Sequence, residues 1–343
     1  VGTRNQLFDS SVVVSAPGLR SSVAERRLTA DRGDVGERVD LVIRRHLADL
    51  HRATRTRVQE WIAKGQVAIN DRTVTRASVR IAAGDVVVVR LLPEDTPAPV
   101  LPEENPIDVL FEDDYLLALQ KPAGVVSHPT FGHPAGSLLN AVLFHARDWP
   151  SSQRPSMVGR LDKLTSGVIL VAKSSDSHAR LQRTLADRVS SKQYLAVVRG
   201  TVHDRGSISL RLRRDPRDRR RVVADGGGLA SLTRFEKLAS RESPPLGFMR
   251  CELVTGRMHQ IRVHLSASGW PIVGDRKYSV STQPAIEPGA RLQSAIDAFP
   301  RQALHAWRLS FSHPFTREDV MITAPLPSDM RQLIADCGWT EPR

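Results

Sequence analysis

Residues 159–176 read GRLDKLTSGVILVAKSSD. The charged triplet Arg160-Leu161-Asp162 stands before a turn-forming Thr165-Ser166-Gly167, and the apolar run 168–172 follows at once. A short aliphatic run that opens on a glycine turn reads as a buried strand. A lone carboxylate is therefore set at the mouth of a strand. Working outward, similar runs recur at 115–119, 194–198, 250–254 and 304–311, with turn residues between them. Helical spacing appears only at 137–146 and 178–186. Strands dominate and helices are scattered across 107–326, so the expected fold is α+β, built on a mostly antiparallel, mixed sheet.

Upstream, 93–106 reads PEDTPAPVLPEENP, a composition expected of a stiff linker and a domain boundary. The 36–91 stretch ahead of it reads as a small α/β module. Apolar positions Val39, Val42, Ile43 and Leu47 give a first helix. Thr54 is placed to cap a second, which holds Val58, Trp61 and Ile62 and ends at Gly65. A strand at 66–69, a turn at Asn70-Asp71 and a final strand at 86–92 complete it. Residues 1–34 read as a disordered extension and 327–343 as a C-terminal tail.

The 343 residues carry a net charge of +12, which favours a polyanionic partner, with nucleic acid preferred. No run of 18 apolar residues suggests a membrane span, and the patch at 12–14 is too short for a secretory signal. The two cysteines, Cys251 and Cys337, make neither a disulfide framework nor a zinc site and fit a cytoplasmic protein. Residues 211–221, RLRRDPRDRRR, read as a flexible basic loop against RNA; a plain disordered insertion reads almost as well. A monomer is expected, since no coiled coil or long apolar surface stands out.

The sequence contains no phosphate-binding GxxxxGK[ST], dinucleotide-binding GxGxxG, zinc-binding HExxH or nucleophile-elbow GxSxG motif. Polar residues instead gather in four segments: 120–129, 159–167, 191–200 and 255–278. Asp162 and Arg262 form the candidate pair, because a carboxylate facing a guanidinium stays ionised and is usable as a nucleophile or base. Tyr194 offers an aromatic plane suited to a nucleobase. The same residues also fit a turn-capping Asp162 and a surface Arg262.

Two resemblances bear on these segments. The 36–91 module resembles the alpha-L RNA-binding domain of S-four type, through ATRTRVQEWIAKGQVAIN and the later GDVVVV. That implies phosphate contacts from Arg55, Arg57 and Lys64 on the second helix. The 107–326 stretch resembles the RluA-type pseudouridine synthases. The resemblance rests on GRLDKLTSG, on Lys192-Gln193-Tyr194, on TGRMHQIRVH followed by GWPIVGDRKY, and on the Lys-Pro turn at Lys121.

It implies an isomerase that breaks a uridine's glycosidic bond and rejoins the base through carbon, with no metal or organic cofactor. Asp162 matches the catalytic aspartate, Tyr194 the aromatic residue at the base, and Arg262 the cation paired with the aspartate. Arg160 matches the arginine that fills the gap left by a flipped base. Lys121, His128, Arg257 and His259 are further candidates for RNA contact. Gly159 stands where the family has histidine, which is expected to loosen this segment. Structured RNA, with large-subunit ribosomal RNA preferred, is the expected substrate. The alternatives are transfer RNA with the same chemistry, or a non-catalytic RNA-binding assembly factor.

Overall fold

The computed structural model describes residues 24–47, 54–92, 100–129, 135–187, 189–279 and 291–342. The small N-terminal unit contains β1 (Ala24–Thr29), α1 (Val39–His46), α2 (Arg55–Ala63), β2 (Val67–Ile69), β3 (Arg72–Val74) and β4 (Val86–Leu91). Its sheet runs β1-β4-β2-β3, all antiparallel. Val42 and Ile43 of α1 and Val58, Trp61 and Ile62 of α2 bury themselves against Val67, Val87 and Val89. Thr54 caps α2 by accepting a hydrogen bond from the Arg57 N–H at 3.3 Å. Asn70 and Asp71 both take positive φ, 48° and 62°, the conformation a two-residue hairpin turn requires.

β1 corrects part of the expected N-terminal extension. Residues 24–29 pair along the whole of β4, a partner some sixty residues downstream. Residues 1–23 lie outside the described residues, as do 93–99 of the expected linker. The described end of that stretch is packed down: Val100 is buried with Leu117 and Leu138.

The larger unit continues with β5 (Asp108–Glu112), β6 (Leu116–Lys121), α3 (Leu138–His145), β7 (Ser156–Val158), β8 (Ser166–Ala172) and α4 (Ser175–Ala186). Then come β9 (Ser191–Arg199), β10 (Arg205–Arg214), β11 (Val222–Ala224), β12 (Leu229–Arg241) and β13 (Leu246–Leu253). The chain ends with α5 (Gln260–Ala267), α6 (Arg291–Asp297), β14 (Leu304–Ser312), β15 (Asp319–Thr323) and α7 (Ser328–Asp336). One 11-stranded sheet runs β11-β10-β12-β13-β9-β14-β8-β6-β5, with β15 added to β14 and β7 to β8. Among the described residues its pairs are antiparallel except β8 with β14, so the sheet is the mixed, mostly antiparallel one expected.

Both faces of the sheet centre are covered. Leu117 and Leu119 of β6 pack with Leu138 and Val142 of α3, whereas Leu116 and Ala118 pack with Leu181 of α4. All seven residues of β8 are buried, which is why the apolar run lacks an alternating pattern. At Gly167 (φ +117°) a side chain is impossible: a Cβ would lie 2.1 Å from the Ala306 carbonyl oxygen of β14. Glycine there lets β8 and β14 meet.

Two further expectations are corrected. Arg211, Arg213 and Arg214 belong to strand β10, whose Ile208 and Leu212 are buried, so the basic segment begins in the sheet, while 215–221 form the loop that leads to β11. The C-terminal stretch is core, since Met330, Leu333, Ile334 and Cys337 pack under the sheet. Among the described residues no helix is long and apolar enough to cross a membrane.

Three buried histidines make acid stability testable. His178 bonds Ser156, His264 bonds Ser231, and His305 lies between Ser166 and the Ala324 carbonyl. Burial pushes each down to about 4. The unfolded chain therefore binds more protons than the native one between about pH 6.5 and 4. Urea unfolding should show stability falling as pH drops through that window, by on the order of 1 kcal/mol or more per histidine. A flat profile would show that these rings are protonated in the native state.

Candidate active site

Asp162 lies on the loop between β7 and β8, and this loop is pinned on both sides of it. Ser127 Oγ reaches the Leu161 carbonyl at 3.5 Å, Lys121 Nζ the Lys163 carbonyl at 3.1 Å, and Arg301 the Leu164 carbonyl at 3.2 Å. Gln302 donates to the Thr165 hydroxyl at 3.1 Å. Gly159 opens the loop with φ +88°, a conformation other residues adopt only under strain.

Lys121 corrects an expectation. It was a candidate for RNA contact, yet it is fully buried and its Nζ donates to three carbonyls: those of Pro122, Val125 and Lys163. Burial, then the charge of Arg301, pushes it down to about 7. Its work is to brace the loop that carries Asp162.

The opposite wall is the start of α5. Gln260 closes the preceding turn, accepting from the Thr255 hydroxyl and the Arg257 N–H while donating to Leu232 and Thr233 of β12. Arg262, in the first turn of the helix, points its guanidinium at two carboxylates. NH1 donates to Asp162 Oδ2 at 2.8 Å, while Nε and NH2 grip Asp275 at 2.7 and 2.8 Å. Burial opposes the charge on Arg262, but the bonds to Asp275 and Asp162 outweigh it and raise its pKa. The structure thus brings Asp162 and Arg262 together and adds Asp275, which sequence reasoning had not singled out. Its only sequence signal was its place in GWPIVGDRKY.

His259 stands between the two walls. Its Nε2 lies 3.7 Å from Asp162 Oδ1, and its Nδ1 is 2.7 Å from the Tyr278 hydroxyl. That hydroxyl accepts the Val222 N–H at 2.9 Å, which leaves its proton for His259 Nδ1. The Nε2–H form of the ring therefore faces Asp162. Burial lowers the pKa of His259, keeping this neutral form.

Tyr194 comes from β9, paired with Cys251 of β13 on one side and Ala306 of β14 on the other. Burial, then the charge of Asp162, raises its phenol pKa, so it keeps its proton. Asp162, Tyr194, Arg262, His259 and Arg257 line one cavity of about 630 Å³ with the exposed Arg160. That volume lies within the ~300–1,000 Å³ typical of small-ligand pockets.

The other candidates lie elsewhere. Arg55 and Arg57 are ion-paired inside the small unit, with Asp40 at 3.3 Å and Glu60 at 2.9 Å, and Lys64 is exposed beyond them. His128 lines a second, smaller cavity.

The chain matches two known families: RNA pseudouridylate synthase over residues 115–267 and the S4 domain over 47–87. It is 38% identical over 311 residues to the uncharacterized RNA pseudouridine synthase YlyB of Bacillus subtilis (strain 168), covering 90% of this chain and 96% of that one. It is 36% identical over 310 residues to the ribosomal large subunit pseudouridine synthase D of Xylella fastidiosa, covering 90% and 92%. The solved structure of human RNA pseudouridylate synthase domain containing 1 has a TM-score of 0.52 at 26% identity, over 68% of this chain and 88% of that one.

Proposed function

The chain belongs to the RNA pseudouridylate synthase family, and from that premise we propose that Asp162 carries the isomerisation of uridines in large-subunit ribosomal RNA. One observation supports this most: the Asp162 carboxylate is held by Arg262 at 2.8 Å on the wall of the cavity that Tyr194 also lines. The reaction breaks the N1–C1′ bond and forms C5–C1′; the C5 proton leaves and N1 ends protonated. Arg262 takes Oδ2, which leaves Oδ1 for the sugar. Tyr194, kept neutral, serves as a plane and hydroxyl for the base. The target nucleotide leaves its stack, at roughly a few kcal/mol, and Arg160 at the cavity mouth fills the vacated place. The ribosomal substrate is carried by the relatives' names and by the S4 match on the N-terminal side.

The direct test uses RNA tritiated at C5 of uridine, since every turnover expels that hydrogen. Purified protein is expected to release tritium from large-subunit ribosomal RNA. Release from transfer RNA alone would reassign the substrate, and release from neither would defeat the enzyme reading. RNA binding should weaken by at least about tenfold between 50 and 200 mM salt, because phosphate contacts release counterions. A flat response would argue against a broad phosphate interface.

A further inference from the structure

A second cavity, of about 210 Å³, lies where the small unit meets the catalytic unit. Glu37, Arg44 and Arg45 line it from the small unit; His128, His178 and Gln182 line it from the other. The two units touch beside it, with His46 Nε2 3.0 Å from Ser175 Oγ and Arg154 donating to the His46 carbonyl at 3.1 Å. Gln182 also lines the large cavity that holds Asp162, so the two hollows share a wall.

The charges around this wall are unequal in a telling way. Arg45 is neutralised by Asp34 at 3.0 Å. His178 is neutral and locked on Ser156 at 2.6 Å. Arg44 is exposed and has no hydrogen bond or ion pair among the described residues, and Arg160 is in the same position at the mouth of the large cavity. His128 lines the small cavity together with Arg44. It keeps an exposed edge in a crowded notch, and desolvation, then the charges of Arg160 and Arg44, push it down to about 4. Glu37 is the opposing carboxylate in the cavity; with two unpaired arginines nearby, the balance stays positive.

The unpaired Arg44 guanidinium lines the notch with a neutral imidazole, and the charge of Arg160 is felt from beside it, so N–H donors and positive charge gather where one anion would relieve them. We propose that this notch binds a phosphodiester of the RNA strand next to the uridine held in the large cavity, gripped by Arg44 and His128. The inference rests on the functional reading above and deepens it. It makes α1 of the small unit part of the substrate site, whereas Arg55 and Arg57 of α2 are ion-paired and line neither cavity.

The test compares wild type, Arg44→Gln and Arg44→Lys in binding to large-subunit ribosomal RNA across a salt series. Arg44→Gln is expected to raise Kd about 3–10-fold and to flatten the log–log salt slope by about one; Arg44→Lys should keep the slope. Wild-type Kd and slope in Arg44→Gln would overturn the proposal. Phosphate ethylation interference on the wild-type complex gives a second readout that needs no variant. Interference at the phosphate adjacent to the modified uridine is expected, and none there would also overturn the proposal. Tritium release by the same wild-type preparation separates the two failures. No release defeats the enzyme reading, whereas release alongside unaltered Arg44→Gln binding defeats only this phosphate site.

Discussion

The Asp162→Asn protein is expected to fold, to bind RNA with a Kd within about threefold of wild type, and to release tritium at least roughly 10⁴-fold more slowly. The substitution keeps the shape of the side chain and removes only its charge. Folding is spared because Arg262 retains both bonds to Asp275, so the buried cation keeps a carboxylate. The loop is spared because its anchors are the carbonyls of residues 161, 163 and 164 and the Thr165 hydroxyl, none of which involves the Asp162 side chain. Chemistry is not spared, since a neutral amide neither attacks the sugar nor takes a proton from it. Single-turnover assays at saturating RNA read this directly. Activity within about a hundredfold of wild type would remove Asp162 from the central role and point to His259 as the base. Loss of binding in step with activity would mean that the carboxylate shapes the RNA site.

The largest loss of stability is expected from Arg262→Met. Among the described residues Asp275, with its side chain 1% exposed, would keep only the N–H groups of Lys277 at 3.0 Å and Tyr278 at 3.3 Å as partners. Removing one member of a buried charged pair costs about 3–5 kcal/mol, because the other is left buried and uncompensated. Urea unfolding should show that loss, and tritium release should cease. The double variant Arg262→Met with Asp275→Leu separates the two effects. It removes both charges, so stability should largely return while activity stays absent. A single-variant loss below about 1 kcal/mol would mean that water or a shifted side chain already compensates Asp275. Recovery of activity in the double variant would show that Asp162 needs no cation beside it.

How much of this was legible in the sequence depends on how each residue's role is encoded. Asp162 stands at a turn before an apolar run, and Tyr194 and Arg262 sit in dense polar segments, so local pattern marked them. Asp275 and Lys121 were hidden or misread for one reason: a charged letter does not say whether it is solvated. Lys121 is dry because three carbonyls converge on it, an arrangement the chain makes only when folded. Helix α5 escaped because Gln260, Ile261, Arg262, Val263, His264 and Leu265 are all buried, so it shows no amphipathic face. In β10 the alternation was present, with Ile208 and Leu212 inward, but the run of arginines drew attention to charge rather than period. β1 finds its partner far along the chain, a pairing no window of neighbouring residues reveals.

The parallel pairing of β8 with β14 is what joins the two halves of the candidate site. β14 joins β9 on one side to β8 on the other. Ser166 meets His305 across 139 positions of sequence, and Asp162 meets Arg262 across 100. While a ribosome is still building the chain, the sheet exists as two separate flaps. One holds Asp162; the other holds Tyr194 and the helix that bears Arg262. Leu304–Ser312 is the clasp that closes them, and it follows both flaps in the chain. A chain made only as far as β8 already carries its S4 module and Asp162, yet it lacks the Arg262 that holds that carboxylate. In the order of synthesis, the two walls of the candidate site can therefore be locked together only once Leu304–Ser312 has been made.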